Sequence, residues 1–110
     1  MARLDYLELP VADRAAAKRF YAEAFGWDFM DFGPDYAATT SGDTDIGVDA
    51  ASDRVKAPLP VIRVADLEAA QAAVEKAGGT ISVPAFAFPG GRRFHFRDVD
   101  GHELAAMQPD

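Results

Sequence analysis

The sequence contains no cysteine, and this absence excludes several kinds of site. Disulfides, thiolate metal ligands and thiol nucleophiles all require the cysteine sulfur. No apolar run approaches the roughly 18 residues that a membrane-spanning helix needs, so we expect no membrane partner. The first residues, Met1 to Asp5, read directly into an alternating strand and lack the apolar core of a signal peptide. These absences predict a cytoplasmic protein.

Basic residues are also scarce, with 11 lysines and arginines against 18 aspartates and glutamates and a net charge of −7. We expect no nucleic-acid partner, because phosphate backbones are bound by basic surfaces. The acidic balance favours solubility and would also attract cationic ligands. A chain of 110 residues, 49% of them hydrophobic, predicts a single domain over residues 1–110. A domain this small buries a modest share of its surface, so a dimer would help to stabilise it.

The chain is similar to itself at an offset of 53 residues. Val11-Ala12-Asp13 aligns with Val64-Ala65-Asp66, and Gly26 aligns with Gly79. In each copy the aspartate can cap a helix by accepting from N–H groups of its first turn, and a glycine can end that helix. These shared helix-capping residues predict two copies of one structural module.

Each copy predicts one amphipathic helix, whose apolar positions follow the i, i+3, i+4, i+7 spacing of a buried face. These positions are Ala17, Phe20, Tyr21 and Ala24 in the first copy and Ala70, Ala73, Val74 and Ala77 in the second. We expect Phe20 and Tyr21 to lie in the core between helix and sheet.

Short strands precede and follow each helix. They are predicted at 4–9, 27–32, 36–40 and 44–48 in the first copy, and at 59–64, 80–83, 92–97 and 102–107 in the second, with an apolar bend at 84–88. The strand at 27–32 is apolar on both faces, which predicts that a ligand cavity or a second subunit covers the face that the helix leaves free. The modules span about 1–50 and about 57–110, and 49–57 reads as their linker. We predict an α+β fold of two β-α-β-β-β modules that form a curved eight-stranded mixed sheet around a cleft.

Three segments carry a resemblance to a known family: Leu9-Pro10-Val11-Ala12-Asp13, Phe20-Tyr21-Ala22-Glu23-Ala24-Phe25-Gly26-Trp27 and Asp98-Val99-Asp100-Gly101-His102. They are similar to the strand-to-helix entry, the F-Y-x-x-x-F-G-W helix exit and the D-P-D-G-N/H hairpin of the vicinal oxygen chelate superfamily. That superfamily includes glyoxalase I, bleomycin-resistance proteins and extradiol dioxygenases. The resemblance implies a glyoxalase-like fold and a homodimer. It does not imply one activity, because this fold hosts many.

Enzymes of the superfamily hold a divalent metal with ligands from the first and fourth strands of each module, usually His and Glu. The resemblance places these ligand positions at Tyr6, at Leu59 (Pro60 or Val61 in a shifted register), at Ala105 and within Asp45 to Asp49. Leucine and alanine cannot ligate a metal, and a neutral tyrosine is a poor ligand. A catalytic metal site needs about three protein ligands. We therefore predict no metal and no other cofactor.

Side chains alternate along a strand, so Glu8 faces the same side as Tyr6, and Glu103 the same side as Ala105. If Arg97 paired with His102 across the last turn, the aromatic side chains of that hairpin would join this face. The predicted substrate-binding residues are Tyr6, Glu8, Trp27, Phe94, Phe96, Glu103, Ala105 and Met107. The alternatives are a solvated rim for the carboxylates and a collapsed core in place of a cavity.

Glu8 and His95 are the candidate catalytic residues, since each can act as a general base. The alternative for His95 and His102 is a structural role in the last hairpin. No nucleophile motif such as G-x-S-x-G is present.

We predict a metal-free small-molecule-binding protein that sequesters an aromatic or cationic compound, as bleomycin-resistance proteins do. The alternative is a metal-dependent lyase, isomerase or dioxygenase of the glyoxalase type with atypical ligands among Glu8, Asp45, His95 and Glu103. A third possibility is a metal-independent acid–base enzyme that uses Glu8 with Tyr6 or His95.

Overall fold

The computed structural model describes residues 2–51 and 56–110. Its elements, in chain order, are β1 (Arg3–Pro10), α1 (Arg14–Phe25), β2 (Phe29–Asp31), β3 (Tyr36–Thr39), β4 (Asp45–Asp49), β5 (Leu59–Arg63), α2 (Leu67–Lys76), β6 (Thr80–Phe88), β7 (Gly91–Arg97) and β8 (Glu103–Pro109). The order β-α-β-β-β therefore occurs twice, and the strands pair in both parallel and antiparallel fashion. The predicted α+β class is confirmed. Neither helix in the described residues is long and apolar enough to cross a membrane.

The described residues form two compact units. The first unit is Tyr6–Leu59, and the second is Pro60–Asp110 together with residues 2–5. The boundary thus lies close to the predicted end of the linker.

In the first unit the strand order is β2-β3-β4-β1, with β1 and β4 parallel and the other pairs antiparallel. Tyr21 of α1 contacts the ring of Phe29 on β2, and the register places Ala37 and Val48 on the same face as Phe29. This face packs against α1, and Ala37 and Val48 are fully buried there. The opposite face is therefore left for other side chains.

In the second unit the strand order is β5-β8-β7-β6, with β5 and β8 parallel and the other pairs antiparallel. One face of this sheet packs against α2. The buried residues of that core are Val64, Leu67, Phe94, Phe96 and Ala106.

The helix boundaries follow the predicted caps. The Asp13 carboxylate accepts from the N–H groups of Ala15 and Ala16, and the Asp66 carboxylate accepts from Ala69. Gly26 ends α1 with a φ of 72°, a left-handed conformation that glycine adopts without steric cost.

The buried face of α1 is rotated from the predicted one. Arg14, Ala17, Lys18 and Tyr21 are half-buried, whereas Phe20 is 60% exposed, so its predicted place in the core is wrong. Arg14 and Lys18 both pair with Asp31 on β2, at 3.7 Å and 2.8 Å. Both ion pairs therefore lie between this side of the helix and the edge strand β2.

The predicted bend at 84–88 is also wrong, because β6 continues through it to Phe88. The strand accommodates Pro84 with register shifts between Ile81 and Val83 and between Val83 and Phe86. Bulges and edge strands are the places where a proline costs a sheet no ladder hydrogen bond.

Candidate functional site

The face of the first unit opposite α1 carries a cluster of Tyr6, Tyr36 and Glu8, which we call the phenol–carboxylate cluster. The Tyr36 hydroxyl donates to Glu8 Oε1 at 3.1 Å. The Tyr6 and Tyr36 hydroxyls also share a hydrogen bond. Because the Tyr36 proton is directed to Glu8, Tyr6 is the donor of that second bond. The result is a chain from Tyr6 through Tyr36 to Glu8.

Gly47 on β4 makes this chain possible. β4 lies between β1 and β3, and its register places Gly47 beside Glu8 and Ala38. A Cβ at Gly47 would come within 2.1 Å of both hydroxyl oxygens, closer than nonbonded atoms can approach. The two phenols therefore meet over a residue that has no side chain.

Burial controls the electrostatics of the cluster. Glu8 is only 4% exposed. Burial raises the pKa of the Tyr36 hydroxyl far above its ordinary value, and the neighbouring Tyr6 and Glu8 raise it further. Tyr36 therefore stays a neutral hydrogen-bond donor throughout the physiological range.

Two aspartates on β4 have different roles. Asp49 is 2% exposed, lies opposite Tyr36 in the β3–β4 pair, and accepts from the Ala51 N–H at 2.8 Å. Asp45 accepts from the Thr39 hydroxyl at 2.7 Å and from two N–H groups that lie between Thr39 and Asp45 in the β3–β4 turn. Burial raises the pKa of Asp45, but these hydrogen bonds outweigh burial and leave the pKa below its usual value. Asp45 thus holds the turn together.

The second unit carries a separate polar array on β6, β7 and β8. His95 is 5% exposed, and its Nδ1 lies 3.4 Å from Glu103 Oε2. The Ser82 hydroxyl donates to the same carboxylate oxygen at 2.9 Å. The His95 ring also contacts Phe86, with ring centroids 5.9 Å apart.

An arginine and two aromatic rings lie next to this array. The Arg93 guanidinium stacks over the rings of Phe86 and Phe88, at 5.4 Å and 5.5 Å from their centroids. Phe86 is 38% exposed, so part of this apolar surface is accessible to solvent.

The observed register corrects the predicted substrate-binding set. Arg97 pairs with Glu103, not with His102, and Phe94 pairs with Ala106. A shift of one residue moves every side chain to the other face of a strand. Phe94 and Phe96 therefore lie in the core under α2, and their predicted place on the face of Glu103 is wrong.

The other predicted residues of that hairpin, Glu103, Ala105 and Met107, share one face of β8. Ala105 pairs with His95 and Met107 with Arg93, so both lie on the face of Glu103 and His95. His102 is exposed and lies in the turn, where its Nδ1 is 3.4 Å from Asp98. The two histidines consequently belong to different surroundings.

Trp27 lies beside α1 and not in the phenol–carboxylate cluster. Its ring stacks on Tyr21 at 5.5 Å and contacts Phe25 at 5.3 Å, and it is 39% exposed. It lines a shallow groove of about 340 Å³ together with Lys18 and Phe29.

Sequence reasoning missed Tyr36, Ser82, Phe86 and Arg93 as members of these sites. Alternation along a strand groups residues within that strand only. The partners on neighbouring strands depend on the register, which no local pattern in this sequence reveals.

The positions that the resemblance assigns to metal ligands do not fit a metal. Leu59 and Ala105 are buried and have no donor atom, and the Tyr6 hydroxyl is bonded to Tyr36. Within residues 2–51 and 56–110, no three histidine, aspartate or glutamate side chains are grouped so that they could hold a metal ion.

Comparisons with known proteins agree with this fold. Residues 3–106 match the family model described as the Glyoxalase/Bleomycin resistance protein/Dioxygenase superfamily. No curated protein sequence is significantly similar to the chain.

Several solved structures are similar. A hypothetical protein from Bacillus halodurans is 14% identical, with a TM-score of 0.80 and coverage of 99% of this chain and 95% of its own. Methylmalonyl-CoA epimerase from Mycobacterium tuberculosis is 17% identical, with a TM-score of 0.73 and coverage of 97% and 87%. The Mn(II)-bound glyoxalase from Novosphingobium aromaticivorans is 21% identical, with a TM-score of 0.72 and coverage of 98% and 40%. Identities this low are evidence for the fold alone.

Proposed function

We propose that this chain, which belongs to the Glyoxalase/Bleomycin resistance protein/Dioxygenase superfamily, is a small-molecule-binding protein that needs no metal or other cofactor. The observation that carries the proposal is the hydrogen-bonded chain from Tyr6 through Tyr36 to Glu8 on the face of the first unit opposite α1. The ligand is an aromatic or cationic compound.

The chemistry of the cluster supports this ligand class. Tyr6 and Tyr36 are half-buried, so part of each ring remains accessible. Aromatic rings attract cations and stack on other rings. The Glu8 carboxylate and the nearby Asp49 add negative charge to the same face. An aromatic cation would satisfy both features.

The metal-dependent alternative is a lyase, isomerase or dioxygenase of the glyoxalase type with atypical ligands. Such a site needs about three donors at one point. Of the candidate ligands, Asp45 is engaged in its turn, and Glu103 with His95 supplies only two donors in the second unit. Elemental analysis of purified protein separates the two functions, since stoichiometric nickel, zinc, iron or manganese would contradict our proposal.

Binding is tested with two matched probes, N,N,N-trimethylanilinium and its neutral analogue N,N-dimethylaniline. We expect the cation to raise the melting temperature of the wild type more than the neutral compound does. Glu8→Gln removes the charge while keeping the shape, so it should abolish the preference for the cation.

Glu23→Gln is the control, because Glu23 is an exposed residue of α1. It should bind both probes as the wild type does. No stabilisation by a wider panel of planar and cationic aromatics, or equal binding by Glu8→Gln and wild type, would overturn the proposal.

We also propose that the chain acts as a homodimer in the cytoplasm. Phe25 and Trp27 are exposed beside α1 with ring centroids 5.3 Å apart, and Phe20 on the same helix is 60% exposed. Exposed apolar surface of this kind is typical of protein interfaces. Sedimentation equilibrium should give a dimer for the wild type and a weaker dimer for Phe25→Ser. Phe86→Ser in the second unit is the control, and a monomeric wild type would contradict the dimer.

A further inference from the structure

A groove of the second unit lies apart from the polar sites described above, and we call it the arginine groove. Its volume is about 360 Å³, at the lower end of the roughly 300–1,000 Å³ that is usual for small-molecule sites. All of its lining residues belong to the second unit. They are Arg3, Arg63, Val64, Ala65, Gln108 and Pro109.

Arg63 brings to the groove a guanidinium that the fold does not use. It is the last residue of β5, and it is exposed. Within residues 2–51 and 56–110, no hydrogen bond or ion pair engages its side chain. Its positive charge and its five N–H donors are therefore available to a ligand.

Arg3 supplies a second guanidinium. Its Nη2 lies 3.6 Å from Asp5 Oδ2, and the Arg3 side chain is 56% exposed. Such an exposed ion pair is weak and leaves other N–H groups of the guanidinium for a ligand. Arg92 differs, because Glu68 holds its guanidinium with two hydrogen bonds of 2.8 Å and 3.2 Å. Positive charge thus gathers at the arginine groove in a chain whose net charge is −7.

The orientation of Gln108 adds neutral donors to the same groove. Its Oε1 accepts from the Leu67 N–H at 2.8 Å and lies 3.5 Å from an Arg92 nitrogen. An amide nitrogen could not accept from either group, so these contacts fix which end of the amide faces α2. In the described part of the chain Nε2 has no hydrogen-bond partner. The NH₂ group is therefore the end that a ligand in the groove can use.

We propose that the arginine groove binds a small dianionic oxyanion, either a phosphate group or a dicarboxylate, between Arg3, Arg63 and Gln108. Two guanidinium charges balance a dianion, and the planar fork of arginine matches the oxygens of phosphate and carboxylate. Val64 and Pro109 give the groove an apolar wall for the carbon part of the ligand.

The first turn of α2 is not needed for this site. The Leu67 N–H already donates to Gln108, and the Ala69 N–H donates to Asp66. The site also lies in a different unit from the phenol–carboxylate cluster, so it does not depend on the proposed binding function.

The test is a ¹H–¹⁵N NMR titration of the full chain with inorganic phosphate and, separately, with malonate. Sodium chloride keeps the ionic strength constant, because salt screens unspecific attraction. The signals of the Val64 and Ala65 amides and of the Gln108 side-chain NH₂ should shift and saturate. Acetate, a monoanion, should bind more weakly than malonate. Saturation by phosphate alone assigns the site to phosphate groups, and saturation by malonate alone assigns it to dicarboxylates.

Arginine variants test the guanidinium contacts. Arg63→Gln and Arg3→Gln should each weaken binding by about 10-fold, the effect of losing a charged hydrogen bond. Arg63→Lys keeps the charge but loses the fork, so its affinity should fall between the wild type and Arg63→Gln. The matched control is Arg19→Gln, which makes the same change in net charge at an exposed arginine of α1 and should bind as the wild type does.

Gln108→Glu tests the amide orientation. This variant keeps an acceptor for the Leu67 N–H and replaces the NH₂ donors with a negative charge, so binding of both dianions should be lost. Shifts that do not saturate with either dianion, undiminished binding by Gln108→Glu, or equal weakening by Arg19→Gln and Arg63→Gln would overturn the proposal. Binding of trimethylanilinium by Arg63→Gln should equal the wild type, so failure here is distinguishable from failure of the proposed binding function.

Discussion

Gly47 lies directly beneath the Tyr36 hydroxyl, so that a Cβ on Gly47 would be 2.1 Å from the hydroxyl oxygen. The Tyr6 hydroxyl is equally close to that point. The strand needs glycine here because a side chain would not fit. Its backbone conformation does not require glycine, since the φ of Gly47 is not positive. The hydrogen bond between the two phenols therefore depends on the absence of a side chain at Gly47.

We expect Gly47→Ala to destabilise the protein by about 1–3 kcal/mol, the usual cost of overpacking, and to weaken binding at the cluster. Urea unfolding measures the change. In a Tyr6→Phe/Tyr36→Phe background the oxygens that clash are gone, so the same substitution should cost less. Equal costs in the two backgrounds would show that the hydroxyls do not set the requirement for glycine.

The raised pKa of Tyr36 predicts a loss of folding stability at high pH. Burial, Tyr6 and Glu8 raise the pKa of this phenol above its ordinary value of 10.0. A raised pKa in the folded state means that the contribution to stability is fully present below the ordinary pKa and is lost as pH rises above it. Unfolding free energies measured from about pH 8 to about pH 11 should fall more steeply for the wild type than for Tyr36→Phe. Parallel curves would contradict the prediction.

The lowered pKa of Asp45 predicts a loss of folding stability at low pH. Its pKa is lowered in the folded state, so its contribution is present above the ordinary value of 3.8 and is lost as pH falls below it. At neutral pH we expect Asp45→Asn to cost about 1–2 kcal/mol, because the hydrogen bonds lose their charged acceptor. The difference from the wild type in chemical unfolding should shrink below about pH 4. Asp43→Asn, at an exposed position of the same turn, should show little effect at any pH.

Phe94 and Phe86 test the corrected positions of the hairpin residues. Phe94 is fully buried in the core under α2, so Phe94→Ala should destabilise the protein by about 3–5 kcal/mol. Phe86 is 38% exposed, and Phe86→Ala should cost about 1 kcal/mol or less. Thermal and urea unfolding provide both values. A small cost for Phe94→Ala would argue against its place in the core.

Local signals account for the parts of the fold that were predictable. Asp13 and Asp66 cap their helices, and Gly26 ends α1, because capping depends on residues within one turn of the helix end. The strands of the first unit lie within a few residues of their predicted positions for a similar reason. Turn residues and apolar alternation act over short distances.

In the last hairpin, the local sequence did not reveal the length of the turn between β7 and β8. Asp98 accepts from the N–H groups of Asp100 and His102, and its own N–H donates to the His102 carbonyl, so His102 belongs to the turn. The turn is therefore one residue longer than the predicted pairing assumed. Because of this extra residue, Phe94 and Phe96 lie in the core under α2 and not in the predicted site. His95 lies instead on the same face as Glu103.

The sequence by itself determined the element order, the helix caps and the family resemblance, because each depends on residues close together in the chain. It also determined that Leu59 and Ala105 cannot ligate a metal, since this follows from their chemical identity. Only the tertiary structure decided that Tyr36 meets Tyr6 over Gly47 and that Ser82 and His95 converge on Glu103. The first contact joins strands far apart in the chain, and the second joins three consecutive strands whose register depends on turn hydrogen bonds and on packing of the sheet face.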